Sequence, residues 1–407
     1  MGEGNGKKEV LYVWPYLEWG GAQIYFRGLM KLARERYAVR ALMPAGSAER
    51  LLGYMQQLDV PCEFFAAHWD LSQAPTLWRK LRRQWRKVYT EYAIARHLGW
   101  RRTKRAILHV DLGPWQSFWL LLYLSMLSEV LVTVHTPLPK LSKVRHLQWK
   151  LKFNLLCRMK RFHLLASNRD MIESLRPFIS EKFISKVRLA YSGVDKAEIE
   201  QALALKLERE SLCRKFNLPP DRFFVFGMGQ FIERKGCWVL LEAARELLRE
   251  RADLFFVWLG TEPLDEQTAR HVEQFNVNDS FRLITAKEME QGRLDLLALL
   301  RLADLFVLPS FNEGLPVALL EAMALGKACI ASNVNAIPEA IRDRETGLLV
   351  PPGDSAALAA AIVELKDNAD VRERIATAGQ SFVLENFVEQ RTAQITIDVY
   401  DECARRN

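Results

Sequence analysis

The stretch that decides the fold runs from residue 305 to residue 332: LFVLPSFNEGLPVALLEAMALGKACIAS. Leu305–Leu308 reads as an apolar strand closed by Pro309 and Ser310, and the segment from Asn312 to Pro316 reads as a Gly/Pro loop. Pro316 suits the first position of a helix that continues through Ala324. After Gly326, Ala328–Ser332 reads as a second strand, which makes one right-handed βαβ unit. Glu313 and Glu321 bracket the start of the helix, where backbone amides are unpaired and the dipole is positive. With Pro316 as the first residue, Glu321 lies roughly 7.5 Å along the axis at about 1.5 Å per residue. The two carboxylates can therefore touch different parts of one ligand. Amides and carboxylates placed in this way suit a ligand with both phosphates and hydroxyls, such as a nucleotide sugar. Glu321 also falls among Leu319, Leu320, Ala322 and Met323, where a charge without a partner is costly.

The same alternation extends outward in both directions. Val10–Trp14, Val39–Met43, Ala106–Val110, Val130–Val134, Leu164–Ala166 and Val187–Ala190 read as strands in the first half. Phe223–Gly227, Leu254–Leu259, Phe281–Ile284, Leu305–Leu308, Ala328–Ala331 and Leu348–Val350 read as strands in the second. Short apolar runs separated by helical patterns predict parallel sheets buried on both faces. The 407 residues exceed one ordinary core. The expectation is an α/β protein of two doubly wound, Rossmann-like domains facing an interdomain cleft. Residues 1–195 and 196–387 form the domains, and a C-terminal helix over 388–407 packs back on the first. Such sheets take ligands at the carboxyl ends of their strands.

Six scattered cysteines without a CxxC pair read as reduced thiols rather than a disulfide frame or a zinc site. The polar start, Met1–Glu9, predicts no secretory leader. Phe118–Val134 falls short of the about 20 apolar residues a membrane span needs, and reads as a buried helix to Leu127 followed by a strand. The net charge of +8 hides a division. Residues 1–200 hold 33 Lys and Arg against 17 Asp and Glu, a balance of +16; the remaining 24 against 32 give −8. Basic, Trp-bearing stretches at Thr76–Arg105 and Lys140–Arg161 suit the headgroup layer of an anionic bilayer. Tryptophan favours bilayer interfaces and no nucleic-acid module is recognisable, so a membrane surface is expected as partner and nucleic acid is not. The protein is expected in the cytoplasm, peripherally associated with the inner face of the cytoplasmic membrane.

Four further groups of residues carry candidate chemistry. Gly20 and Gly21 follow the first strand and open a helix, where glycine lets a backbone approach a diphosphate. Arg234 and Lys235, in the loop from Gly229 to Gly236, can neutralise a pyrophosphate. His135 ends the strand Val130–Val134, and His109 ends the strand before it. Asp111 and Gln116 lie in the loop beyond His109, where an acceptor could meet His109, Asp111 and Gln116. There is no GxxxxGK[ST] motif and hence no P-loop. The chain also lacks an Asp-x-Asp pair, so no metal is expected.

At these positions the chain resembles the retaining GT-B glycosyltransferases of family four. The likeness rests on Glu313 and Glu321 in an E-x7-E spacing, with Pro309, Ser310, Gly326, Ile330 and Ala331 around it. Glu339, Thr346, Gly347, Leu348, Leu349, Pro352, Gly353 and Asp354 match the pattern that follows. Gly20-Gly21-Ala22-Gln23, Ser167 and Ser192-Gly193-Val194-Asp195 match nearer the N-terminus. The resemblance implies a metal-independent, retaining hexosyltransferase without a cofactor, using a nucleoside diphosphate sugar, with UDP-sugar favoured. The acceptor implied is a glycan or lipid-linked molecule in cell-envelope polysaccharide or lipopolysaccharide assembly. It assigns Glu313, His135 and Lys235 to catalysis. Gly20, Gly21, Arg234, Lys235, Gly314, Leu315, Val317 and Glu321 would bind the donor, with Glu313 on the sugar and Glu321 on the ribose. Pro316 has no N–H, so Leu315 and Val317 are the amide donors of that loop. The family usually has Gly-Arg where this chain has Gly229-Gln230, and Arg234 could substitute for the missing cation. A nucleotide-sugar epimerase on the same fold and an inactive glycan-binding subunit are the competing readings.

Overall fold

The computed structural model describes residues 7–17, 21–67, 76–103, 106–135, 138 and 141–406. Its contacts divide the chain into two units, residues 1–191 with 390–407, and residues 192–389.

The first unit contains β1 (Glu9–Val13), α1 (Gly21–Ala33), β2 (Ala38–Pro44), α2 (Glu49–Gln57), β3 (Cys62–Phe65) and α3 (Leu77–Thr103). It continues with β4 (Ala106–Val110), α4 (Phe118–Leu127), β5 (Glu129–Val134), α5 (Lys143–Arg158), β6 (Phe162–Ala166), α6 (Arg169–Leu175), α7 (Glu181–Ile184) and β7 (Arg188–Leu189). The seven strands are parallel in the order β3-β2-β1-β4-β5-β6-β7. The central strands β1, β4 and β5 are buried almost throughout, as their unbroken apolar runs require.

The second unit contains α8 (Lys196–Ala204), α9 (Arg209–Lys215), β8 (Phe223–Met228), α10 (Cys237–Leu247), β9 (Leu254–Gly260), α11 (Glu266–Glu273) and β10 (Phe281–Thr285). It continues with α12 (Arg293–Leu302), β11 (Leu305–Leu308), α13 (Val317–Ala324), β12 (Ala328–Ser332), α14 (Ile337–Ala340), β13 (Leu348–Val350), α15 (Ser355–Asp367) and α16 (Ala369–Asn386). Its parallel sheet runs β10-β9-β8-β11-β12-β13. Both sheets reverse their order beside their first strand, between β1 and β4 and between β8 and β11. In open α/β sheets such a reversal opens a crevice at the carboxyl strand ends.

The last helix, α17 (Glu389–Arg406), returns to the first unit. Its inner face carries Ala393, Ile397, Tyr400 and Cys403, all buried against the β1–β2 side of that core. Polar contacts fix its register. Tyr25 and Thr396 share a 3.0 Å hydrogen bond, Arg36 pairs with Asp401 at 3.0 Å, and Arg188 pairs with Glu402 at 3.0 Å. Near its end, Glu129 accepts a 2.6 Å bond at His163, whose ring also meets the Cys403 thiol at 3.3 Å.

The structure departs from the sequence expectations at four points. The strand β3 was not expected, because only Phe65 of its four residues is buried. α4 is apolar along its whole length but is not wholly buried, since Trp119, Tyr123 and Met126 are exposed. Pro316 is the N-cap of α13 rather than its first residue, so the helix opens at Val317. The break between units falls after Tyr191, four residues before the boundary expected at 195.

Candidate donor site

The loops after β8 and β11 flank the reversal in the second sheet, and they are joined by a close backbone contact. The chain leaves β8 at Gly229 (φ 141°), makes a single 3-10 turn over Glu233–Lys235, and enters α10 through Gly236 in the left-handed region (φ 73°, ψ 23°). A Cβ at Gly236 would stand 1.9 Å from the Pro309 carbonyl oxygen, so only glycine lets the two loops meet. The Phe311 amide then donates to the Arg234 carbonyl at 2.9 Å.

This approach brings Lys235 and Glu313 together. The Lys235 ammonium donates to Glu313 Oε1 at 2.6 Å, and the Ser310 hydroxyl donates to the same oxygen at 2.8 Å. The Glu313 amide donates to Asn335 Oδ1 at 3.3 Å. Both charged side chains are mostly buried, which strengthens their attraction and makes either one costly without the other. Arg234 remains exposed and donates to the Asn312 carbonyl at 3.0 Å, on the same loop.

At the start of α13 the Pro316 carbonyl accepts from the Leu319 and Leu320 amides. Helix geometry leaves the Val317 and Ala318 amides without an intrahelical partner, beside the positive end of the helix. Gly314 is half-buried, Leu315 buried and Val317 half-buried around that opening. Glu321, the fifth residue of α13, is buried and accepts a short bond from the Arg293 guanidinium. Arg293 opens α12 and also donates through Nε to Glu198 of α8 at 3.0 Å. Burial opposes the charge of Arg293, but the carboxylates of Glu321 and Glu198 outweigh it and hold its pKa above the ordinary arginine value. The carboxylate whose apolar surroundings call for a partner is thus one arm of a three-group network. Arg293, Asn335 and Glu198 carry no signal in the sequence reading, and Ser310 enters it only as part of the pattern around the two glutamates.

In the first unit, Gly20 lies outside the described residues and Gly21 is the first residue of α1. The strand-end loops there hold three buried polar atoms that have no protein partner among the described residues: Trp14 Nε1 after β1, Asp111 Oδ2 after β4 and His135 Nε2 after β5. Trp14 and Asp111 flank the reversal of this sheet, with the Asp111 amide bonded to the Val13 carbonyl at 2.9 Å. Burial raises the Asp111 carboxyl to about 7 and lowers the His135 imidazole to about 4. Tyr25 and Phe26 of α1 pack edge-on to His135, at 4.9 and 5.7 Å between ring centres.

His109 and Gln116 are placed otherwise. His109 is the penultimate residue of β4 and fully buried, with Nδ1 2.6 Å from the Tyr400 hydroxyl and Nε2 2.8 Å from Thr133 Oγ1. Burial, with His135 nearby, lowers its pKa to about 3. Both ring nitrogens are engaged inside the core, which leaves none for an acceptor. Gln116 uses its side-chain carbonyl to accept from the Gly113 amide at 2.7 Å and so closes its own loop.

Two parallel Rossmann-like sheets in one chain, each reversing beside its first strand, are the architecture of the GT-B fold. The family model described as glycosyl transferases group 1 matches residues 208–382. That segment of the chain is similar to the glycosyl transferases group 1. It is 31% identical over 184 residues to a putative colanic acid biosynthesis glycosyltransferase WcaL of Salmonella typhimurium, covering 44% of each chain. It is 30% identical over 184 residues to a lipopolysaccharide core biosynthesis glycosyltransferase LpsD of Rhizobium meliloti, covering 45% of this chain and 50% of that one. The matched segments span about half the length of these curated relatives or less. Among solved structures, Anabaena Alr3699/HepE, in complex with UDP and glucose, superposes with a TM-score of 0.74. That match covers 97% of this chain and 100% of the other, at 15% identity, and it supports the fold.

Proposed function

We propose that the protein is a retaining glycosyltransferase that moves a sugar from a nucleoside diphosphate sugar, with UDP-sugar favoured, to a glycan or lipid-linked acceptor. The proposed setting is the assembly of cell-envelope polysaccharide or lipopolysaccharide, in keeping with the names of the two relatives above. The observation that carries the donor reading is the Lys235–Glu313–Ser310 network at the sheet reversal, beside the open start of α13.

In this reading the diphosphate lies against Lys235, Arg234 and the Val317 amide, and Glu313 takes the sugar hydroxyls. Glu321, held in place by Arg293, takes the ribose. As the glycosidic bond breaks, negative charge gathers on the diphosphate, and cations already in position stabilise it without reorganisation. No metal is needed for that role, because Lys235 and Arg234 supply the charge. The resemblance to retaining family members implies that the acceptor attacks from the face the diphosphate leaves, passing its proton to a diphosphate oxygen. The resemblance assigns His135, Gly20 and Gly21 to the sugar and its diphosphate, and the loop position of Asp111 suits the acceptor. The basic helices α3 and α5 suit an anionic membrane surface. No helix among the described residues is long and apolar enough to cross a membrane.

A thermal-shift panel of UDP, GDP and ADP sugars tests the donor class, because a ligand that binds only the folded state raises its melting temperature. A shift with one nucleotide series, followed by a product whose anomeric configuration matches the donor, supports the proposal. An inverted product removes the retaining assignment, and isomerised donor without transfer points to an epimerase.

A further inference from the structure

Three consecutive crossover helices of the first unit each bury one stripe and expose an apolar one. On α3 the inner residues Ile94 and Leu98 join the core, while Trp78, Leu81, Trp85, Val88, Tyr89 and Tyr92 are exposed. At 100° per residue those six fall within an arc of about 100° opposite Ile94 and Leu98. On α4, Trp119, Tyr123 and Met126 repeat at steps of four and three, facing away from Leu120, Leu121 and Leu124. On α5, Val144, Leu147, Leu151 and Leu155 repeat at three, four and four, facing away from Phe153 and Leu156.

These stripes share one side of the first unit. The connections β3-α3-β4, β4-α4-β5 and β5-α5-β6 all advance in the same direction along the sheet, and right-handed crossovers put all three helices on one face. Their inner sides line a single core cluster, and α4 packs against both α3 and α5. The outer surface is therefore a three-helix layer with tryptophans at Trp78 (81% exposed), Trp85 (76%) and Trp119 (72%). Isolated exposed apolar residues are ordinary, but a contiguous set across three helices marks an interaction surface.

Charge selects the occupant. α3 carries nine Lys and Arg against one acid, Glu91, and α5 carries five against none. On α5, Arg145 and Lys152 flank one edge of the apolar stripe, and Lys143 and Lys150 flank the other. A second copy of this face would set cations against cations. A lipid bilayer with anionic headgroups satisfies both features, with apolar rings and side chains in the acyl boundary and cations among the phosphates.

We propose that α3, α4 and α5 form one insertion face that enters an anionic bilayer to the depth of the acyl boundary. This rests on the membrane reading above and deepens it, from charge held on two basic segments to apolar insertion in which the uncharged α4 takes part.

The test uses the full chain and sedimented vesicles of phosphatidylcholine, alone or mixed with phosphatidylglycerol. Binding is measured at low salt and at about 1 M NaCl, where the Debye length falls to about 3 Å. The inference predicts binding to the anionic vesicles, with a fraction surviving high salt and tryptophan fluorescence quenched by lipids brominated in the acyl chain. Trp119→Ser and Trp85→Ser are each expected to lower the salt-resistant partition about tenfold or more, from the apolar area each ring buries. Both residues are solvent-exposed, so melting temperature and nucleotide-sugar binding are expected to stay unchanged. Complete release by salt, with no effect of Trp119→Ser, overturns insertion and leaves electrostatic attachment standing. No binding to any vesicle overturns both. Concentration-dependent dimerisation abolished by Trp119→Ser would make the face a protein interface and overturn the proposal. Donor binding, measured in the same samples, reports separately on the glycosyltransferase reading.

Discussion

Replacing Arg293 by Met separates positioning from charge at the candidate donor site. The thioether chain keeps much of the arginine's apolar stem but removes the cation that Glu321 and Glu198 share. The Glu321 side chain is only 3% exposed and that of Arg293 25%. Removing one partner of a buried ion pair typically costs about 3–5 kcal/mol, because the other charge is left without compensation. Solvent reaches Arg293 and Glu198 in part, which places the expected loss near the lower end, about 3 kcal/mol. Urea unfolding followed by fluorescence reads this as a lower midpoint at unchanged slope. The double variant Arg293→Met/Glu321→Gln also removes the deeply buried Glu321 charge, leaving the partly solvated Glu198, and is expected to recover at least half of the loss. Nucleotide binding is expected to weaken in both variants, since Glu321 loses its bearing in one and its charge in the other. A single-variant loss below about 1 kcal/mol, or a double variant no better than the sum of the two singles, would refute the account of the network.

Asp111 gives a pH-dependent prediction. Its folded pKa of about 7 lies above the usual carboxylate value, so the folded state holds its proton more tightly. That stability is fully present below about pH 4 and is lost as pH rises to about 7. Asp111→Asn is therefore expected to raise the melting temperature at pH 8 and leave it nearly unchanged at pH 4, with a benefit of at most roughly 4 kcal/mol; equal effects at both pH values would count against a buried, partnerless carboxyl. Gly236→Ala is expected to abolish donor binding and destabilise the second unit, because its Cβ meets the Pro309 carbonyl; wild-type binding and stability would show that the two loops can part. Ser310→Ala is expected to lower transfer while retaining folding, as Glu313 loses its 2.8 Å bond; unchanged rates would remove Ser310 from the site.

The fold was legible because buried parallel strands advertise themselves as apolar runs, as the central strands β1, β4, β5, β8, β9, β11 and β12 do. β3 is an edge strand in which Cys62, Glu63 and Phe64 are all partly or fully exposed, so its pattern lacks the run. The carboxylates Glu313 and Glu321 were legible from local chemistry, a Gly/Pro loop opening a helix. Arg293 was not, because its partners lie 28 and 95 residues away. One signal was present all the same. A cation at the first position of α12 opposes the helix dipole and so calls for a nearby anion. His109 misled for a related reason. From sequence it closes a strand at the ligand end of the sheet, but Tyr400, 291 residues on, fills the space beside its ring. α4 reads as buried because it is apolar all round, and only packing reveals that one of its faces is left to solvent.

The most direct measurement is the release of nucleoside diphosphate from the donor that stabilises the protein, compared between wild type, Lys235→Ala and Glu321→Ala. If Lys235 meets the developing diphosphate charge and Glu321 the ribose, both variants fold. Lys235→Ala then loses on the order of 10²–10³ in rate, the usual cost of removing one preorganised charge-stabilising group, while Glu321→Ala loses donor affinity. Release at the wild-type rate by both folded variants would contradict the assignment of this loop pair as the donor site.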